Sequence, residues 1–445
     1  MCSSSHSLDR ISVTFDDDHA VANAGLLQPA TLAEHLGLRE LFDEYVDLGN
    51  APGHANVGLK AMTLVQSLLV GGDCIDDADQ MRTASTAEVL GHGVRAPSTL
   101  GTFLRSFTFG HVSQLDKVFD EVLRRAWEAG AGPGDGPLTI DMDSTICETY
   151  GLSKQGARFG YTSVRGYHPL VASLAGTEEV LGVRLRGGNA HTARGAASFL
   201  VRVFNRVRRA GADGPIVLRA DSGFYNHNVT DACRKAKVPC SITAKMSKAL
   251  HTVITEIPEE HWTSIPYWID GGADVAETSY RPFGQRHDLR LIVRRVKPTP
   301  GSQLALFATY DYHAFITDRE GEPLYLEADH RRHAVVEDVI RDLKYGVGLN
   351  HLPSGRFAAN AAWLVLNAVA HNLGRWVRRI GLGEQSAPMT TKTLRTRLLS
   401  LPGRMTSSGG RRQLHLPTEW PWEEQFSRCL ANLRAIRLQG TPIKA

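Results

Sequence analysis

Three apolar strands, a helix, a strand, a helix and a strand follow one another between Leu138 and Ala244; aspartates close two of those strands, and a later helix carries Glu337 and Lys344. This order predicts an α/β catalytic core of the ribonuclease-H-like (retroviral-integrase-like) class. A β-rich insertion interrupts the core, a mostly helical domain precedes it, and a helical region follows it.

The N-terminal domain, residues 1–135, reads as helical because apolar residues recur at helical spacing over Thr31–Tyr45 and Leu59–Val70, between Gly- and Asp-containing breaks. Ala96-Pro97-Ser98-Thr99 and the amphipathic run to Phe107 carry a helix-start signal, Pro followed by a Ser/Thr cap. With a short helix before it, this segment is a candidate helix-turn-helix reader of the major groove, with Arg105 among its DNA contacts. A plain structural helix accounts for the same pattern. Residues 128–137 have the Gly/Pro composition of a flexible linker.

The first part of the core, 136–249, holds strands at 138–143, 170–174 and 180–185, a long amphipathic helix at 192–210, a strand at 215–221, a helix at 228–236 and a strand at 240–244. Residues 250–327 read as the insertion, with strands at 289–296 and 305–310. The core resumes over 328–380, and 381–445 read as a basic helical C-terminal region.

At 445 residues, with 42% hydrophobic and 22% charged residues, the chain has the composition of a globular protein with several cores. No apolar run reaches the roughly 18 residues of a membrane span, and the first residues lack a signal-peptide pattern. The expectation is a cytoplasmic, nucleoid-associated protein with no membrane partner. The six cysteines are scattered without a CxxC pair, which argues against a disulfide framework and a structural zinc site. A net charge of +3 does not by itself imply nucleic acid, but its distribution is uneven. Arg184 to Arg209 contains seven arginines and no acid, and Arg375 to Arg412 has nine Lys or Arg against Glu384 alone. Such stretches suit phosphate backbones; solvated helix faces look the same in sequence.

Asp141 and Asp143 end an apolar strand, where alternation puts both side chains on one face. Asp221 ends a second, and Gly223 just after it permits a sharp turn at the sheet's C-terminal edge. Glu337 lies on a later helix. Two strand-end aspartates and a helical glutamate can hold two hard cations about 4 Å apart, the arrangement that drives in-line phosphodiester displacement.

Asp141-Met142-Asp143-Ser144-Thr145, Arg219-Ala220-Asp221-Ser222-Gly223-Phe224-Tyr225 and the run from Glu337 to Gly346 together resemble the DDE transposases of bacterial insertion sequences. The last run matches that group's Glu-(six residues)-Lys signature, with Glu337 and Lys344 two turns apart on one helix face. Residues 187–196 resemble the segment entering the helix after the third strand, and 16–26 and 96–105 resemble N-terminal segments of one branch, so the resemblance spans about residues 12–375. It implies Asp143, Asp221 and Glu337 as catalytic metal ligands for two Mg²⁺ ions, with Mn²⁺ as a substitute. Ser144 and Thr145 after Asp143 favour it over Asp141, which remains the alternative ligand.

The resemblance also implies cut-and-paste transposition. Terminal inverted repeats are nicked, the freed 3′-hydroxyl attacks the opposite strand and then target DNA, and a homodimer forms the synaptic complex. Lys344 would contact phosphate. Where the family has Tyr and Arg on phosphates, this chain has His330 and His333, which are candidate DNA contacts together with Arg331 and Arg332, either of which could take over the arginine's role. No Cys or third His joins the two histidines at zinc spacing. Trp262, Tyr267 and Trp268 are candidates to stack on an extruded base, or form the aromatic core of the insertion.

Two rivals stand beside this reading. Asp141-x-Asp143-x-Thr145 also matches the nucleophile motif of haloacid-dehalogenase-type phosphatases, with Asp141 attacking phosphorus and Asp143 as acid/base. Their metal motif would fall at 270–274, yet that segment runs into β-like sequence, and Asp221 and the Glu337–Lys344 helix would have no role. A non-catalytic DNA-binding regulator would explain the basic stretches and leave the placed acids unexplained.

Overall fold

The computed structural model describes residues 7–438, apart from 52, 161, 268–271, 285–287 and 298–309. Trp268, Asp270 and, except for Tyr310, the strand expected over 305–310 lie outside the described residues.

A mixed sheet organises the molecule. Its nine strands among the described residues run in the order Thr263–Ile265, Ala273–Tyr280, Leu289–Val296, Asp311–Thr317, Cys240–Thr243, Ile216–Ala220, Leu138–Ser144, Leu170–Leu174 and Glu179–Arg184. The Ile216 strand pairs in parallel with both the Leu138 and Cys240 strands, and every other pairing is antiparallel. These central strands are mostly buried, as strands covered on both faces are. The helices Ala196–Arg209 and His227–Ala236 occupy the two expected positions between strands.

The segment 250–327 does not form a sheet of its own. Its Asp311 strand pairs with the Cys240 strand, Phe315 opposite Thr243, and so extends the core sheet. The region also opens with a helix, Lys248–Thr255. A further helix, Pro323–Arg331, spans the point where the core was expected to resume.

The helix Phe357–Trp376 explains why the expected N-terminal domain is not a separate body. It is mostly apolar and buried from Ala359 to Trp376, its few polar side chains included, as a helix surrounded by protein must be. One side meets the Glu179 strand; the others meet the helices Leu27–His35, Val57–Leu69, Pro97–Arg105 and Phe109–Ala126. Apolar burial is continuous from Val21 to Ile436. The expected flexible linker is a turn closed by Gly130 at φ 102°, between buried Trp127 and Ala131. Trp127 Nε1 donates to Glu179 Oε2 at 2.9 Å and Trp376 Nε1 donates to Oε1, joining N-terminal helices, sheet and central helix through one buried carboxylate.

Pro97 is the first residue of its helix, and Ala96, not a Ser or Thr side chain, precedes it without a capping bond. The C-terminal region is not all helical. Gly403–Ser408 and Arg411–His415 form an antiparallel ribbon, anchored by the short strand Ala20–Val21.

The basic stretches fare differently from expectation. In 184–209, Arg184, Arg186, Arg202, Arg206, Arg208 and Arg209 all donate within the protein, Arg206 and Arg209 to Asp120 and Arg202 to Asp116. Arg184, Arg186 and Arg206 are thereby tied into the protein, whereas Arg194, Arg202, Arg208 and Arg209 stay exposed, the last three with a partner inside the chain. In 375–412, Arg375 is buried against Asp342 and Glu178, Arg379 pairs with Glu384, and Arg395 donates to the Leu69 carbonyl.

Candidate active site

Asp143 and Asp221 are brought together by strand register. In the parallel pair, Asp141 lies opposite Arg219 and Met142 opposite Ala220. Extended by one step, that register puts Asp143 near Asp221, which follows directly on the end of the Ile216 strand, and both line one pocket. Asp221 then turns the chain, its Oδ1 accepting from the Gly223 N–H at 3.1 Å. The glycine is needed there for close approach rather than for positive φ, because a Cβ on it would lie 2.6 Å from Thr192 Cγ2. Glu337 comes from the helix Val335–Gly346, whose buried Val336, Val339, Ile340 and Leu343 seat it beside the sheet. The three acids line one pocket of about 330 Å³ together with Arg331, His330 and His333.

Asp141 shares the face of Asp143 but has a different environment. Arg219 Nε and Nη2 donate to its two carboxylate oxygens, each at 2.8 Å, and His333 Nδ1 lies 3.0 Å from Oδ1. Arg219 also donates to the Asp329 carbonyl at 2.6 Å, and Arg319 donates to Asp329 Oδ2 at 2.6 Å. Asp141 is fully buried, with both oxygens engaged. Such a carboxylate is unavailable as a nucleophile, which removes the central step of the phosphatase alternative. Asp274 of the supposed phosphatase metal motif sits inside a strand, paired with Arg295 and Lys297.

Asp143 has no cationic side chain bonded to it among the described residues; the Ser144 N–H donates to its Oδ1 at 2.6 Å. Burial, with the charges of Asp221 and Glu337 adding, pushes its carboxyl up to about 6, against the opposing Ser144 N–H and His333. Burial raises Asp221 as well, opposed by His333 and two backbone N–H groups. Surplus negative charge on hard oxygen donors is what a divalent cation neutralises. Among the described residues, the one set of three potential ligands within 4.8 Å of one another is Asp73, Cys74 and Asp77. The three site acids therefore stand further apart, as mutually repelling carboxylates do.

A stability prediction follows. Asp143 binds its proton more tightly folded than unfolded, so the native state loses stability as pH rises from about 4 to about 6. Asp143→Asn should therefore stabilise the metal-free protein by about 1–3 kcal/mol above that window and by little below it. Urea unfolding in chelator-treated buffer at both ends of the window measures this. A variant less stable at high pH would contradict the description.

The other expected contacts divide. Arg331 borders the pocket, pairs with Glu327 at 3.0 Å and lies 5.7 Å from the Tyr267 ring centre. Arg332 and Arg105 are exposed. His330 stacks on Phe315 at 4.2 Å with Nε2 2.9 Å from Thr243 Oγ1, and burial pushes it down to about 3, so it is a neutral ring and not a cation for phosphate. Lys344 Nζ donates to the Ile146 carbonyl at 2.9 Å, fixing the loop that follows Asp143. Trp262 is covered by the Arg295 guanidinium at 4.3 Å, whereas Tyr267 faces Arg294 and Arg331 of the pocket. Sequence reasoning missed Arg219; its signal is the 78-residue offset that pairs Asp141 with Arg219 and, extended, Asp143 with Asp221.

A family model described as "Transposase DDE domain group 1" matches residues 4–438. The chain belongs to that family. Among solved structures, this DDE transposase chain is similar to one titled "Cryo-EM structure of piggyBac transposase synaptic complex with hairpin DNA", at 12% identity and a TM-score of 0.42. The similarity covers 84% of this chain and 79% of that one. No curated protein matches. Among the described residues of the transposase, no helix is long and apolar enough to cross a membrane.

Proposed function

We propose that this DDE transposase mobilises a bacterial insertion sequence by cut-and-paste transposition, cleaving and joining DNA at terminal inverted repeats with Mg²⁺. Its core is read as ribonuclease-H-like, and a homodimer as the synaptic form. One observation carries the proposal: Asp143 and Asp221, at the C-terminal ends of two adjacent parallel strands, line one pocket with Glu337.

Asp143, Asp221 and Glu337 would hold a pair of divalent cations. When bound, these activate the attacking oxygen and stabilise the leaving oxygen of an in-line displacement at phosphorus. Asp141 keeps a separate role: anchored by Arg219, it holds His333 Nδ1 and so fixes that imidazole at the pocket wall. Arg331, aligned by Glu327 and Tyr267, offers a guanidinium to a DNA phosphate. Arg332 and Arg105 are exposed for DNA contact outside the pocket.

Incubating the protein with duplex DNA that flanks its own gene, with and without Mg²⁺, tests the proposal. Nicks with 3′-hydroxyl ends, followed by hairpins, are expected only with the metal; intact DNA under all conditions would reject it. Lys344→Ala frees the loop after Asp143 and removes a charge, so it should slow cleavage by roughly a hundredfold, as an ångström-scale misplacement can. Single-turnover rates, with circular dichroism as the folding control, measure this. Wild-type rates would reduce Lys344 to a structural contact.

A further inference from the structure

Counting which cations remain once internal pairing is complete leads away from the pocket, to the ribbon formed by Gly403–Ser408 and Arg411–His415. Of the basic residues between Arg375 and Arg412, those before Arg404 are largely consumed: Arg375, Arg379 and Arg395 are paired, Arg378 donates to the Ser386 carbonyl, and Arg397 lies over Trp422. Lys392 is exposed. The ribbon carries Arg404, Arg411, Arg412 and His415, and no acidic residue. Its arginines are exposed; Arg404 lies 3.9 Å from Asp17 and Arg412 3.3 Å from Glu88, both surface pairs that contribute little, and Arg411 makes no ion pair among the described residues.

The geometry is that of an arm. Met405 is buried, its N–H bonded to the His19 carbonyl, and the Ala20–Val21 strand pairs with the ribbon only at Gly403 and Arg404. Beyond that anchor, Ser407, Ser408, Arg411, Arg412 and Gln413 are exposed, and the two strands pair with each other alone. Gly409 and Gly410, both at positive φ (57° and 77°), close the ribbon in two residues and keep its tip thin. A two-stranded ribbon is one of the shapes the major groove of B-DNA admits, and guanidiniums and hydroxyls along it would meet phosphates on either side.

We propose that this ribbon is a duplex-DNA contact arm, separate from the carboxylate pocket. The inference rests on the transposase reading above and adds where the protein grips DNA away from the chemistry.

The test uses the full-length protein in metal-free buffer, a fluorescein-labelled random-sequence duplex, and anisotropy across a salt series. Arg411→Ala/Arg412→Ala should weaken binding and make the slope of log K against log salt shallower by about 1.8, two phosphate contacts at about 0.9 each. Arg411→Lys/Arg412→Lys should keep most of the slope. Unchanged thermal melting shows that the ribbon can be altered without unfolding the protein. If the wild type binds duplex and the double alanine variant matches it in affinity and slope, the arm is rejected while the transposase reading stands. If instead the alanine variant only lowers the mass measured by light scattering, the ribbon is a contact between copies and the arm is likewise rejected. If the wild type does not bind duplex at all, the transposase reading itself fails.

Discussion

Asp143→Asn, Asp221→Asn and Glu337→Gln should each lower DNA strand cleavage by about a thousandfold or more, because each removes a charged oxygen donor from the same pocket. On the proposed reading, several kcal/mol of transition-state charge stabilisation would come from cations held by all three acids. Folding should survive, since neither Asp143 nor Asp221 is tied to a cationic side chain among the described residues, and Glu337 is exposed. Duplex binding in metal-free buffer should persist. Asp141→Asn is the informative contrast. It should bind metal normally, because its carboxylate is already engaged by Arg219 and His333. Gel analysis of end cleavage, beside metal binding for all four variants, checks this. A normally cleaving Asp143→Asn beside a metal-free Asp141→Asn would reverse the assignment.

Arg219→Leu should cost about 3–5 kcal/mol of stability, the usual effect of removing one partner from a buried charge pair. Arg219 is 2% exposed, and its guanidinium bridges Asp141 and Asp329, so its loss leaves Asp141 buried without its cation. Asp141→Asn in the same chain should restore part of the loss by removing that charge, although His333 and Asp329 still lose contacts. Urea unfolding of the single and double variants, read as a double-mutant cycle, gives the coupling directly. A loss under about 1 kcal/mol for Arg219→Leu would mean that water or local opening screens the pair.

The elements that position the acids were legible because their signals are local. Apolar runs mark the Leu138 and Ile216 strands, the aspartates stand at the ends, and the helix carrying Glu337 shows a clear apolar face. Ser144 and Thr145 favoured Asp143 over Asp141, but the different surroundings of the two carboxylates were not legible locally. Alternation puts both on one face, and the residue that separates their roles, Arg219, lies 78 positions away. The partners of the arginine-rich helix were hidden for the same reason: Asp116 and Asp120, which take up Arg202 and Arg206, lie 86 positions before them. The independence of the N-terminal helices failed on tertiary packing. A Gly/Pro composition signals a break in secondary structure, but Trp127 and Trp376 converge on Glu179 across it. The extension of the sheet by the Asp311 strand was likewise invisible, since strand pairing between distant segments leaves no mark on either.

The central claim is that Asp143, Asp221 and Glu337 form one cation site. An equilibrium Mn²⁺ titration of the full-length protein, followed by electron paramagnetic resonance, tests it most directly. Binding should release protons near pH 6, because the Asp143 carboxyl sits at about 6 without metal. It should weaken sharply in each of the three amide variants and persist in Asp141→Asn. Mn²⁺ binding unaltered by Asp143→Asn, Asp221→Asn and Glu337→Gln would contradict the account.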